Sequence, residues 1–193
     1  MAIVTLGHVH AEDLEPLTRR FTRLEQLVLD IHPRVSLTEH RAELNRAIDA
    51  STCDWILVMR ERETIDEPLA EELASLTGDN PKAWGFRIRT APLYNGAPLK
   101  LGDEAGELRL FHRRHFLRRG ELGVQGTVIR AKHSFRAVTF ASPSEHRDYL
   151  AKNGVPHSGL RHTLLFARYA VSAGTLDANT LRYLWIEAGF DHE

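Results

Sequence analysis

The spacing of apolar residues changes period several times along the chain, and each change predicts an element. "AIVTL" (Ala2 to Leu6) is a short β-rich run. "AEDLEPLTRRFTRL" follows with apolar residues at Leu14, Leu17, Phe21 and Leu24, a helical spacing. Its acids come early and its arginines late, as a helix dipole prefers. "EQLVLDIH" reads as a second strand with Asp30 near its end. "SLTEHRAELNRAIDA" is helical again: Ala42, Leu44, Ala47 and Ile48 form one broad stripe, with Ser36 or Thr38 as the cap. "DWILVM" is a third strand, and its unbroken apolar run from Trp55 to Met59 suits burial on both faces. "DEPLAEELASL" is the next helix, and the breakers of "TGDNP" (Thr77 to Pro81) end it. Strands alternating with helices in this way predict a mainly parallel sheet with right-handed crossovers.

After Pro81 the period shortens to two. "AWGFRIRT" and "GELRLFHRR" alternate apolar with polar, as half-exposed antiparallel strands do. The segment between them is rich in turn residues, with Asn95-Gly96 the strongest. "GTVIRAKHSF" reads as another strand. From "SPSEHRDYLAKN" the pattern is helical, and "LRHTLLFARYAVSAG" and "DANTLRYLWIEAGF" read as two closing helices, the second capped by Asp177 or Asn179. With no repeat, low-complexity tract or linker, the expectation is one domain over 1–193: α/β, with a Rossmann-type mainly parallel sheet, an antiparallel extension and C-terminal helices.

Composition narrows the class. The 193 residues are 42% hydrophobic and 26% charged, ordinary for a domain that buries a real core. The net charge of −1 supplies no global field toward nucleic acid or a membrane, so no nucleic-acid partner is expected. No apolar run approaches the roughly 20 residues of a membrane helix. The first residues lack the basic and apolar regions of a signal peptide. Cys53, the single cysteine, excludes an internal disulfide and suits a reducing cytoplasm.

The candidate chemistry lies where "DWILVM" runs into Arg60-Glu61-Arg62-Glu63. Open α/β sheets bind ligands at the carboxyl ends of their strands. His8 and His10 share one face of an extended segment after the first strand but have no visible third ligand. "RRHFLRRG" (Arg113 to Gly120) is a basic cluster around Phe116, read as a solvated hairpin end. Trp55, Trp84 and Trp185 fall in predicted elements and read as core. No phosphate loop, dinucleotide fingerprint or nucleophile elbow is present.

"LNRAIDASTCDWILVMRERE" resembles a segment of the family 2 glycosyltransferases, which runs approximately N-x-A-x-x-x-A-x-G-D-W, a hydrophobic run, then D-A-D-E. Leu44-Asn45-Arg46-Ala47, Asp54-Trp55 and the apolar run match in order. "DEPLAEEL", "AWGFRIR", Arg109-Leu110-Phe111 and "SPSEHRDYLAKN" are similar to later elements of the lipopolysaccharide-core branch of that family. The resemblance implies a GT-A fold, a nucleotide-sugar donor, a divalent metal on an aspartate motif and a carboxylate base.

The same comparison implies that the chemistry is lost. The nucleoside-gripping D-x-G-S-x-D cluster is reduced to Asp30 in Asp30-Ile31-His32-Pro33. Arg60 and Arg62 stand at the two metal-binding aspartates, and two cations repel a metal. The base-bearing V-H-E element falls on Val124-Gln125-Gly126, neither of whose last two residues takes a proton. No metal and no cofactor is therefore expected, and the catalytic residues are unknown: the resemblance implies a pseudo-enzyme, or a metal-independent transferase in which Arg60 and Arg62 replace the metal. If a nucleoside diphosphate or nucleotide-sugar is held, Asp30, Arg60, Arg62 and Glu63 are the residues expected to hold it, the two guanidiniums forking onto the diphosphate from one extended face. Two other readings stay open. Arg60 and Arg62 can pair with Glu61, Glu63 or the Asp66-Glu67 acids on a wet loop. The protein can also be a non-catalytic scaffold on such a fold, alone or as a homo-oligomer.

Overall fold

The computed structural model describes residues 1–29, 37–78, 81–99, 105–152 and 177–187. The strands are β1 (Ala2–Leu6), β2 (Glu25–Leu29), β3 (Trp55–Arg60), β4 (Glu63–Thr64), β5 (Gly85–Tyr94), β6 (Ala97–Pro98), β7 (Glu107–His112) and β8 (Val128–Phe140). The helices are α1 (Glu15–Thr18), α2 (Arg41–Ala50), α3 (Glu67–Leu76), α4 (Pro143–Lys152) and α5 (Ala178–Glu187). The chain divides into two compact units. One holds Met1–Thr90 with Asp103–Arg136, the other Ala91–Gly102 with Ala137–Glu193.

In the first unit the sheet runs β2-β1-β3-β7-β5-β8-β4. β1 is parallel to both β2 and β3, with Val4 opposite Leu27 and Val58. β7 is antiparallel to β3 and to β5, so β3 and β5 point the same way. This is a mixed α/β fold, Rossmann-like in its parallel half. The apolar alternation of the central strands assigns two cores. Ile3, Leu57, Met59, Phe86 and Leu110 pack with Leu17, Leu69 and Leu73 on one face. Val4, Leu6, Ile56, Val58 and Phe111 pack with Leu44 and Ile48 of α2 on the other, where Phe116 and Val124 close the layer. Fully burying a side chain of this size contributes about 1.5–3 kcal/mol, so these layers hold the strand ends in place.

The helix expected over 11–24 is shorter. A 3-10 turn at Ala11–Leu14 leads into α1, which stops at Thr18. The Thr18 hydroxyl donates to the Glu15 carbonyl at 2.8 Å, a local bond that competes with helix propagation. The Glu25 N–H donates to the Met1 carbonyl at 3.1 Å and commits the following chain to the sheet. α2 begins after His40 with no side-chain cap, so Thr38 does not fill that role, and Ser36 lies outside the described residues. α3 falls within the expected "DEPLAEELASL", and the structure adds its cap: Asp66 accepts from the Leu69 N–H at 3.0 Å.

The second unit packs Tyr94, Leu99, Phe140, Leu150 and Ile186 together. Asn95 and Gly96, at φ 50° and 75°, form the tight turn joining β5 to β6, with Tyr94 opposite Ala97. Two positive φ values in succession are what Asn-Gly supplies at little cost. Asp177 caps α5 through the Thr180 N–H at 2.8 Å. Trp185 is not core: it is 48% exposed, on the outer side of α5. The helix expected over 160–174 lies outside the described residues.

Candidate functional site

β3 delivers Arg60 at its last position because five apolar residues before it, Trp55 to Met59, fix the strand between the two cores. The chain then turns. Glu61 and Arg62 are exposed, with Arg62 at φ 64°, and Glu63 re-enters as β4. A left-handed φ on a residue with a Cβ is uncommon and costs roughly 1–2 kcal/mol. It is the reversal that lets Glu63 face back toward β3. Arg60 and Arg62 therefore do not alternate along one extended face, as the forked grip on a diphosphate requires.

Glu63 is buried, 2% exposed, and so is Arg109 of β7, at 1%. Their side chains form an ion pair. The remaining carboxylate capacity is filled by the Arg60 N–H at 2.7 Å and the Thr90 hydroxyl at 2.8 Å. The Arg109 Nε donates to the Val58 carbonyl at 3.0 Å and its Nη1 to Glu107 at 2.8 Å, while the guanidinium lies 5.0 Å from the centroid of the Phe135 ring. Glu107 also receives the Arg60 guanidinium on both oxygens, at 3.1 and 3.0 Å. Burial pushes the Glu107 carboxyl up, but Arg109 and Arg60 outweigh it and hold the group below its usual range. The arrangement is two carboxylates and two guanidiniums interlocked, chemistry suited to fixing three strand ends and a turn.

Of the residues expected to hold a diphosphate, Arg60 and Glu63 meet within this network. Arg62 lies on the exposed turn beside it, and Asp30 lies outside the described residues. Glu107, Arg109 and Thr90 were not legible as site residues. In "GELRLFH" the alternation points Glu107 and Arg109 away from Leu108 and Leu110. The structure breaks that alternation with a bulge: Phe86 pairs with Leu110 and Arg87 with Leu108, leaving Arg109 unopposed and turned inward. His8 and His10 are both exposed and sit edge to face with centroids 5.2 Å apart. Among the described residues no group of three or more His, Cys, Asp or Glu side chains is placed to hold a metal ion.

The basic cluster is largely answered locally. Arg113 donates to the Ser51 carbonyl, Arg118 meets Asp49 at 2.8 Å, and Arg114 stands 3.8 Å from Asp54. No helix among the described residues is long and apolar enough to cross a membrane.

Comparison with known proteins corrects the family resemblance. No protein-family model matches the chain, and no curated protein matches it. Among solved structures, the bifunctional IspDF of Campylobacter jejuni aligns at 8% identity with a TM-score of 0.40. The alignment covers 69% of this chain and 49% of that one, so the chain spans about half of IspDF's length. The link to family 2 glycosyltransferases therefore falls. The pieces that suggested it, an Asp-Trp before an apolar run and an acidic helix start after it, are what any buried strand followed by a capped helix supplies.

Proposed function

We propose that this chain is a non-catalytic α/β protein, a scaffold whose strand ends are closed by its own charges. The supporting observation is that the charged groups at the strand ends already hold one another. Arg60 is engaged on both Glu107 oxygens, and Glu63 is buried against Arg109. A diphosphate would have to displace a bidentate carboxylate from Arg60 and would meet the Glu107 and Glu63 charges beside it, and like charges at that range repel. We read the sheet as Rossmann-type, GT-A-like in the order of its strands and taken as a fold only. A scaffold acts through its surfaces, so its partners are proteins, a second copy of the chain included. A reducing cytoplasm suits Cys53, a buried free thiol.

Calorimetric titration of UDP, GDP and their sugars, with and without Mn²⁺, tests this reading. The expected result is no heat of binding at millimolar nucleotide, for wild type and for Arg60→Ala alike. Binding by wild type that Arg60→Ala weakens tenfold or more, a loss of about 1.4 kcal/mol, would replace the scaffold with a phosphate-binding site.

A further inference from the structure

The opposite end of the same strands holds a second group of titratable side chains that the proposed function does not use. β7 ends at His112, and the chain then leaves the sheet and returns at β8. Trp84, just before β5, clasps both ends of this excursion. The His112 N–H donates to the Trp84 carbonyl at 2.9 Å, and the Trp84 N–H donates to the Thr127 carbonyl at 3.0 Å. The indole stacks on His115, 4.0 Å between centroids and 8° from parallel. Gly126, at φ 102°, lies so close that a Cβ there would sit 2.9 Å from Trp84 Cδ1. His112 itself is wedged between two tryptophans, 5.2 Å from Trp55 and 5.2 Å from Trp84.

The His112 Nδ1 is enclosed and has no hydrogen-bond partner among the described residues. A neutral imidazole tolerates this by leaving that nitrogen as a bare lone pair, its proton on Nε2. The imidazolium does not, because both nitrogens then carry N–H groups and a buried N–H without an acceptor is costly. We propose that segment 113–127 is an acid-released flap, clasped on Trp84 while His112 is neutral and let go when His112 takes a proton and leaves its ring pocket.

The charged groups facing His112 act in the same sense, with one exception. Burial first, then His115, Arg114 and Arg113, push the imidazole below its usual range, and Asp54 alone pulls it up. The tryptophan faces give a cation some attraction, but they supply no acceptor for Nδ1. Deeper anchors keep the rest of the flap attached: Phe116 stacks on Phe111 at 4.4 Å, and Arg41 donates to the Leu117 and Gly120 carbonyls. Release therefore starts from the His112 and Gln125 side, where the Gln125 N–H holds the His115 carbonyl at 2.7 Å.

Amide hydrogen exchange at about pH 8 and about pH 5, the range in which an imidazole titrates, corrected for the intrinsic rate, reads this directly. In wild type the protection of segment 113–127 should fall roughly tenfold or more on acidification, about 1.4 kcal/mol of opening free energy, while α3 keeps its protection. In His112→Phe, which holds the ring contacts without the proton, the segment should be equally protected at both pH values. Equal protection of the wild-type segment at the two pH values overturns the proposal, and so does an equal loss in His112→Phe. Should that variant not fold, the wild-type imidazole can be titrated by NMR. The flap amides must then follow the His112 midpoint, and a midpoint belonging to another group overturns the proposal as well.

Discussion

The two ends of the central strands handle buried polarity in opposite ways. Where β3 ends and β7 begins, Glu63 and Arg109 are almost wholly buried, and each is answered by a charge, a hydroxyl or a backbone group. Where β3 begins and β7 ends, the half-buried His112 has an enclosed ring nitrogen that nothing among the described residues answers. In a low-dielectric interior a charge needs partners, whereas a titratable ring can stay neutral. The first end therefore keeps its charges by pairing them, and the second is the end where we propose that acid acts. A position near the expected ligand site does not make a residue a ligand: partner accounting decides, and it shows Arg60 and Glu63 engaged with Glu107 and Arg109.

Perturbing the paired end should give the largest effect. Glu63→Gln leaves a buried guanidinium short of its counter-charge and should cost about 3–5 kcal/mol of unfolding free energy, measured by urea denaturation. Next is Asp66→Ala. It removes the α3 cap, and with it the 2.9 Å contact to Arg136, and should cost about 1 kcal/mol. Third is an acid limb set by His112. Its folded pKa is lowered, so the unfolded chain takes the proton first. Stability is complete above the ordinary histidine value of 6.5, declines as the pH falls through it, and levels off below the folded value. His112→Phe should flatten that limb in a pH series of thermal melts. The smallest effect is expected at the rim. Glu107 is half exposed, so Arg60→Ala should cost only about 0–1 kcal/mol, and a larger loss would make Arg60 part of the buried pair rather than its border.

At a third place a further acid limb lies lower in pH. The Thr52 hydroxyl foremost, then the Thr52 N–H and the Ser51 hydroxyl, outweigh burial and hold the Glu25 carboxyl at about 2. Stability from this group is present above its ordinary value of 4.5 and is lost as the pH falls toward 2. Glu25→Gln should remove that portion of the acid unfolding curve and leave the His112 limb in place.

What the sequence disclosed follows from which signals are local. β1 and β3 were legible because "AIVTL" and "DWILVM" carry apolar runs buried on both faces, and β2 because "EQLVL" is a short β-rich run, which the structure sets at the sheet edge beside β1 with Val28 58% exposed. Asp177 and Asn95-Gly96 were legible because capping and tight turns are decided within four residues. Arg109 was not, because the bulge that turns it inward depends on pairing with β5, far along the chain. Trp185 was misjudged because helical spacing does not say which face finds a partner. The family resemblance failed for a related reason: its fragments specify a buried strand and a helix start, which many α/β chains share, and no family model matches the whole.

The account turns on whether Glu63 and Arg109 form a structural pair. The direct measurement is a double-mutant cycle of Glu63→Gln and Arg109→Met, with unfolding free energies from denaturant titration of all four proteins. Each single variant should lose about 3–5 kcal/mol. The double variant should lose less than the sum by about 1–3 kcal/mol, because neither partner is then left buried alone. A Glu63→Gln variant within about 0.5 kcal/mol of wild type, the range of a surface change, would contradict it and return the carboxylate to the list of groups free to meet a ligand.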